Sequence, residues 1–296
     1  MHYGKTVICK GKIATIKRKV WRTKMDYQKD IETILSHRYD QKWDYWTTED
    51  RRLTNGGAFS CIASANYLLE LGVSPEDPIL QTVGELIWES WKEPGDFKLY
   101  PKGPVFPCQT IPAATLLIRL GYLEDPRMKK TLAHLMETRY SDGGWWCKKF
   151  YFGKGPETEH SNPLPTLNAL NLFRYTKYFS DDSLNQAIDF LLDHWETKAP
   201  IGPCHYGIGT LFMQVEYPLS DYNLFHYVYV LSFYEHARKD LRFQDAFEAL
   251  RERTVDDQIV VERVNRKLSK LEFCKKGQVS ELATKKYLEI IKRMTD

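Results

Sequence analysis

The residues of this chain with the most distinctive chemistry are Cys108, Cys147 and the adjacent Cys204-His205 pair, spread over three polar stretches. Two thiolates and an imidazole suit Zn²⁺ with an open fourth position, where a substrate thiol or a water would be activated. Cys147, Cys204 and His205 are therefore the candidate metal ligands, and zinc is the cofactor that they imply. Glu157, Glu159 and His160, with Asp221 further on, are candidate acid–base groups whose pKa values burial could move. Each set has a plainer alternative. A single cysteine often packs as a small hydrophobe. The segment Gly155-Pro-Glu-Thr-Glu-His-Ser-Asn-Pro163, with its prolines and Ser/Asn caps, also reads as a rigid turn that starts a helix.

The elements that must position these residues are helices. Asp125-Pro126 is an N-cap followed by proline at the first helical position. Met128, Leu132, Leu135 and Met136 then form one apolar stripe, and Asp142-Gly143-Gly144 supplies a stop. The pattern recurs from Asp77, Asp182 and Asp240, each of which is expected to open an amphipathic helix. Eighteen residues beyond Asp77, Asp125 and Asp240 lie Gly95, Gly143 and Gln258, so these helices should end alike and feed a loop. Before each comes a more uniformly apolar segment: residues 58–71, 110–120, 165–175 and 223–234. Such helices should be buried on more than one side.

Links within a pair are short (72–76, 121–124), whereas links between pairs are long (91–109, 140–164, 196–222). This alternation predicts an array of α-hairpins with one plain and one elaborated face, the usual home of function. With further helices near 25–37 and 280–294, the chain reads as all-α, a single α/α toroid domain over residues 25–296 of about five to six helical pairs. Val255–Leu271 is less regular, and Gln258-Ile-Val-Val261 is read as a short strand or turn.

The helix ending in Ser141-Asp-Gly-Gly-Trp-Trp146 resembles the repeat of terpenoid cyclases such as squalene-hopene cyclase, and of protein prenyltransferase β subunits. The likeness spans roughly residues 57–250 and is strongest at 108–147. It implies an α/α toroid whose mouth opens to an aromatic-lined cavity for an apolar small molecule, of which an isoprenoid is one class. Trp145, Trp146, Tyr222, Phe225 and Tyr229 are the expected cavity residues, on faces able to stabilise a carbocation or hold an isoprenoid chain; a packed core is the alternative. The family's glutamine before the turn is Arg139 here, and Gly95-Asp-Phe97 is a degenerate turn. No DxDD motif is present, so the class II cyclase reaction is not implied; Asp181-Asp182 reads as capping. The prenyltransferase zinc pattern also departs: Phe106 stands at its aspartate before Cys108, and Asn223 at its histidine after Asp221. Trp146-Cys147 and Cys204-His205-Tyr-Gly207 faintly resemble the zinc segments of lanthionine cyclases. Three readings follow: an apolar-ligand toroid, a zinc-dependent enzyme, and a non-catalytic binding or scaffold protein.

Composition narrows the setting. Six cysteines without a CxxC pair read as reduced thiols, and with no signal-peptide pattern the expected location is cytoplasmic. Residues 1–24 form a basic arm with eight Lys or Arg and no acid, so the net charge of +3 becomes −5 for the rest. Its Ile13, Ile16 and Val20 suggest weak contact with an anionic membrane, while no specific nucleic-acid motif accompanies it.

Overall fold

The computed structural model describes residues 27–54, 57–147 and 152–295. The basic arm 1–24 lies outside them. The described residues hold eleven α-helices: α1 (Gln28–Ser36), α2 (Cys61–Glu70), α3 (Pro78–Glu89), α4 (Pro107–Arg119), α5 (Pro126–Glu137), α6 (Pro163–Phe173), α7 (Asn185–Thr197), α8 (Leu224–Leu231), α9 (Glu235–Lys239), α10 (Leu241–Arg251) and α11 (Glu281–Thr295). Among them no helix is long and apolar enough to cross a membrane. The all-α expectation holds, with extended structure confined to two small hairpins and isolated bridges.

Local chemistry explains the boundaries. Asp77, Asp125 and Asp240 each accept the amide two residues on, at 2.9, 2.9 and 2.8 Å, which satisfies a donor that the helix leaves unpaired. Arg127 and Arg242 then turn back onto their own capping aspartates, each through 3.0 and 2.7 Å contacts. The expectation for Asp182 is corrected. A 3-10 turn over Asp181–Leu184 precedes α7, whose cap position is Leu184 with no side-chain bond. Ser180 O accepts the Ser183 amide at 3.0 Å, so the backbone does locally what a carboxylate does elsewhere.

The helices sort into two sets. In α8 every residue is buried, while α3, α5 and α10 each bury one stripe. Helices α2, α4, α6, α8 and α11 pack in succession, and α3, α5, α7 and α10 lie against them. The N-terminal helices also meet the C-terminal segment. The Asp30 carboxylate in α1 accepts the amides of Glu272 and Phe273 at 3.0 and 2.8 Å, and Lys286 in α11 pairs with Glu70 at the end of α2 at 2.9 Å.

The loops after α3, α5 and α10 share one device. Strands β1 (Trp91–Lys92) and β2 (Asp96–Phe97) pair antiparallel, with Trp91 opposite Phe97; β3 (Thr254–Val255) and β4 (Gln258–Ile259) do the same, with Thr254 opposite Ile259. The Gly143-Gly144 turn closes through Tyr140 N to Gly144 O and Gly143 N to Tyr140 O, both 2.9 Å. A threonine one turn into the next inner helix then accepts the amide of the apolar residue: Thr110 from Phe97, Thr166 from Trp145, and Thr284 from Ile259, at 3.1, 3.1 and 3.0 Å.

Candidate functional site

The starts of α4 and α6 bring the long-loop residues together. Cys108 is in the first turn of α4, and its Sγ lies 3.5 Å from the Sγ of Cys147. Cys147 follows Trp145, whose amide is held by Thr166 and whose indole N–H donates to Leu135 O at 2.9 Å. Asn162, the cap position of α6, donates its amide to Trp145 O at 3.1 Å and accepts the Cys204 amide on its side-chain oxygen at 2.9 Å. Gly202 makes that approach possible: it has φ +76°, and a Cβ there would lie 2.6 Å from Ser161 O. Tyr206 completes the group. Burial raises its phenol pKa, and the nearby Cys204, Asp221, Cys108 and Cys147 raise it further.

Two buried polar atoms here have no hydrogen-bond partner among the described residues: Asn162 Nδ2, beside the Cys204 amide, and Gln109 Oε1, next along the chain from Cys108. A buried amide left unsatisfied is costly, so such atoms mark a place where water or a ligand belongs.

The remaining expected site residues are more dispersed. Glu157 is half-buried, its carboxylate held below the usual range by its own amide and that of Gly155, with His205 adding a smaller effect. It is therefore a ready anion rather than an acid near neutrality. Glu159, His160 and His205 are exposed; His160 Nδ1 is 3.8 Å from Asp142. Asp142 itself holds the loop, accepting the Ser161 amide and hydroxyl at 2.7 and 2.6 Å. Asp221 is exposed and 3.5 Å from Arg263, while its backbone carbonyl accepts from His226 Nδ1 at 3.0 Å. No group of three or more His, Cys, Asp or Glu side chains among the described residues is arranged to hold a metal ion, the Cys147–Cys204–His205 set included.

The five expected cavity residues divide likewise. Trp145 and Phe225 are fully buried, Tyr222 and Tyr229 nearly so, and Trp146 is half-buried against Tyr140, with ring centres 5.5 Å apart. Tyr222 packs on Phe212 at 4.8 Å and donates to His194 Nδ1 at 2.9 Å; His194 Nε2–H donates to Ala199 O at 3.0 Å. That tautomer follows from the carbonyl, which can only accept. Burial pushes the His194 imidazole down to about 4, so it is neutral in this arrangement.

Between the inner helices the structure carries charge that nothing in the helical patterning announced. Glu70 pairs with Lys286, accepts from the Tyr217 hydroxyl and lies 4.0 Å from Arg119. Burial pushes Glu70 up, yet Lys286, the Tyr217 hydroxyl and Arg119 together outweigh it and hold the carboxyl below its ordinary value. Tyr229 donates to Glu289 at 3.1 Å, and Arg174 and Arg293 stand over Phe233 at 4.1 and 3.6 Å. Two concavities are prominent. One is an open groove of about 700 Å³ lined by Asp40–Lys42, Thr48–Asp50 and Arg52; the other is a pocket of about 160 Å³ lined by Arg174, Lys177, Phe179 and Phe233 among others. None of the five expected cavity residues lines either one.

Comparison by sequence adds no relative: no protein-family model matches the chain, and no curated protein matches it either.

Proposed function

We propose that this chain is an α/α toroid of the terpenoid-cyclase and prenyltransferase type that takes an apolar small molecule, of which an isoprenoid is one class, at its long-loop end. The toroid reading is supported by the succession α2–α4–α6–α8–α11 and by the ties from α1 and α2 to the C-terminal segment. The observation that carries the functional reading is the meeting of Cys108 with Cys147 at 3.5 Å and of the Cys204 amide with Asn162 at 2.9 Å, which brings residues from the three long links to the starts of α4 and α6. The unpaired Asn162 Nδ2 and Gln109 Oε1 supply polar recognition there, and Trp146 and the exposed Phe152 supply apolar surface near the same loops. The ligand then binds by its apolar body and is oriented by a polar end, as small-molecule sites generally are.

The test is thermal denaturation of protein purified without a tag, in the presence of isoprenoid alcohols and diphosphates of graded length. Binding should raise the midpoint by a few degrees. Tyr206→Phe and Cys204→Ala should each reduce the rise. No rise with any chain length would leave the scaffold reading in possession. Zinc analysis of the same sample addresses the remaining alternative: about one zinc per chain, lost in Cys204→Ala, would replace the apolar-ligand reading with a thiolate metal centre.

A further inference from the structure

The contact between Cys108 and Cys147 has chemistry of its own, whatever ligand the long-loop end takes. Their sulfurs are 3.5 Å apart, whereas a disulfide brings them to about 2.05 Å. The remaining approach is short, and both backbones are held where they are. Cys108 belongs to the first turn of α4. Cys147 directly follows Trp145 and Trp146, which are fixed by the Thr166 hydroxyl, by Leu135 O, and by the bond from Trp146 Nε1 to Thr158 O at 3.1 Å. Helix α4 packs on α6, and Asn162 at the cap of α6 ties back to Trp145, so the two thiols share one rigid frame. Held in this way, each thiol meets the other at a high effective concentration.

We propose that Cys108 and Cys147 form a redox-modification site, a dithiol that a peroxide closes to a disulfide clamping the start of α4 to the Gly-Gly-Trp-Trp turn. Cys108 is the attacking residue. It is half-buried, where Cys147 is 2 % exposed, so a peroxide reaches its sulfur first. Its thiolate takes one oxygen of the peroxide; the O–O bond breaks, the second oxygen leaves as water after gaining a proton, and Cys108 becomes a sulfenic acid, oxidised by two electrons. The Cys147 sulfur then attacks the Cys108 sulfur. Its thiol proton and the sulfenic hydroxyl leave as a second water, and the S–S bond is complete. A dithiol reductant reverses the change in two exchange steps.

The other buried cysteines differ. Cys61 and Cys274 are enclosed, and burial pushes both thiols up to about 12, so neither offers a thiolate at neutral pH. Cys204 shares the neighbourhood of Tyr206 and is the competitor that the experiment must separate.

The full-length chain is treated with hydrogen peroxide, denatured, alkylated and mapped by mass spectrometry. Two of the six thiols should escape alkylation, the chain should lose about 2 Da, and one cross-linked peptide pair should join Cys108 to Cys147. Dithiothreitol should restore all six. Cys204→Ser should leave the cross-link intact, and Cys147→Ser should stop Cys108 at the sulfenic or a higher oxidised state. The proposal is overturned if wild-type protein keeps six alkylatable thiols, if Cys108 is joined to Cys204 or Cys9 instead, or if Cys108 passes to sulfinic acid while Cys147 stays reduced. Because the decisive map is made on wild-type protein, misfolding of a variant would not obscure it.

Discussion

At Asp125 a single carboxylate has two tasks, capping α5 and holding Arg127. Replacing it with alanine removes both and should cost about 1 kcal/mol in urea unfolding, the usual worth of such a cap. Asparagine keeps the cap and should cost a few tenths. The two variants also separate pH effects. The side-chain bond from Arg127 holds the Asp125 carboxyl below its ordinary value, so its contribution is present above the unfolded pKa near 4 and is lost as pH falls through the folded one. Stability of the asparagine variant should converge on wild type in acid.

His194 and His226 set a second acid limit, in a higher window. Burial pushes both imidazoles down to about 4, so folded histidine stays neutral while unfolded histidine, near 6.5, takes up a proton. Stability from this source is complete above pH 6.5 and declines from there toward pH 4, by on the order of 3 kcal/mol for each histidine. Urea midpoints measured across that interval should fall steeply, and His194→Gln should flatten part of the fall. A midpoint that is level from pH 7 to 5 would contradict the buried, neutral assignment.

At the scale of the element, the repeated unit is a capped helix, a tight turn and a threonine from the following helix. Thr166→Val keeps the shape and removes the acceptor for the Trp145 amide, which should cost about 1–3 kcal/mol by chemical denaturation. Gly144→Ala should cost at least as much, since its Cβ would lie 2.6 Å from Ser161 Cβ and from Thr166 Oγ1. Serine at the equivalent place in α2, Ser64, has a buried hydroxyl without a partner among the described residues, so Ser64→Ala should be nearly neutral. Spacing made the turns legible, because a cap, a stripe and a glycine lie within one stretch of chain. The threonines were not legible, since each bond joins a strand or turn residue to a helix residue 13, 21 or 25 positions further along the chain. Arg139, at the family's glutamine position, reaches Ser183 O at 2.6 Å and links consecutive outer segments.

For the whole molecule, the contacts that join its ends matter most. Glu70→Gln leaves Lys286 buried without its counter-charge and should cost about 3–5 kcal/mol, whereas a Glu70→Leu/Lys286→Met double variant should recover much of that loss. If Glu70→Gln unfolds at the same urea concentration as wild type, the pair is more hydrated than its surroundings indicate. Asp30→Ala should loosen the contact of α1 with residues 272–273, detectable as faster amide exchange in both segments.

The sequence by itself determined ten of the eleven described helices, three of their aspartate caps, and the short and long links, because each depends on residues within a turn or two of one another. It also placed the thiols on loops that share one end. Only the tertiary structure decided which of those groups meet. Cys108 touches Cys147, Asn162 holds the amide of Cys204, and Glu159, His160 and Asp221 face solvent. An aromatic stripe is spelled the same way whether it lines a cavity or fills a core, and here Phe225 and Tyr222 are packed against their neighbours. The Glu70–Lys286 pair was beyond reach for the same reason. Its partners are brought together by the rotation and packing of whole helices, and no local pattern records either.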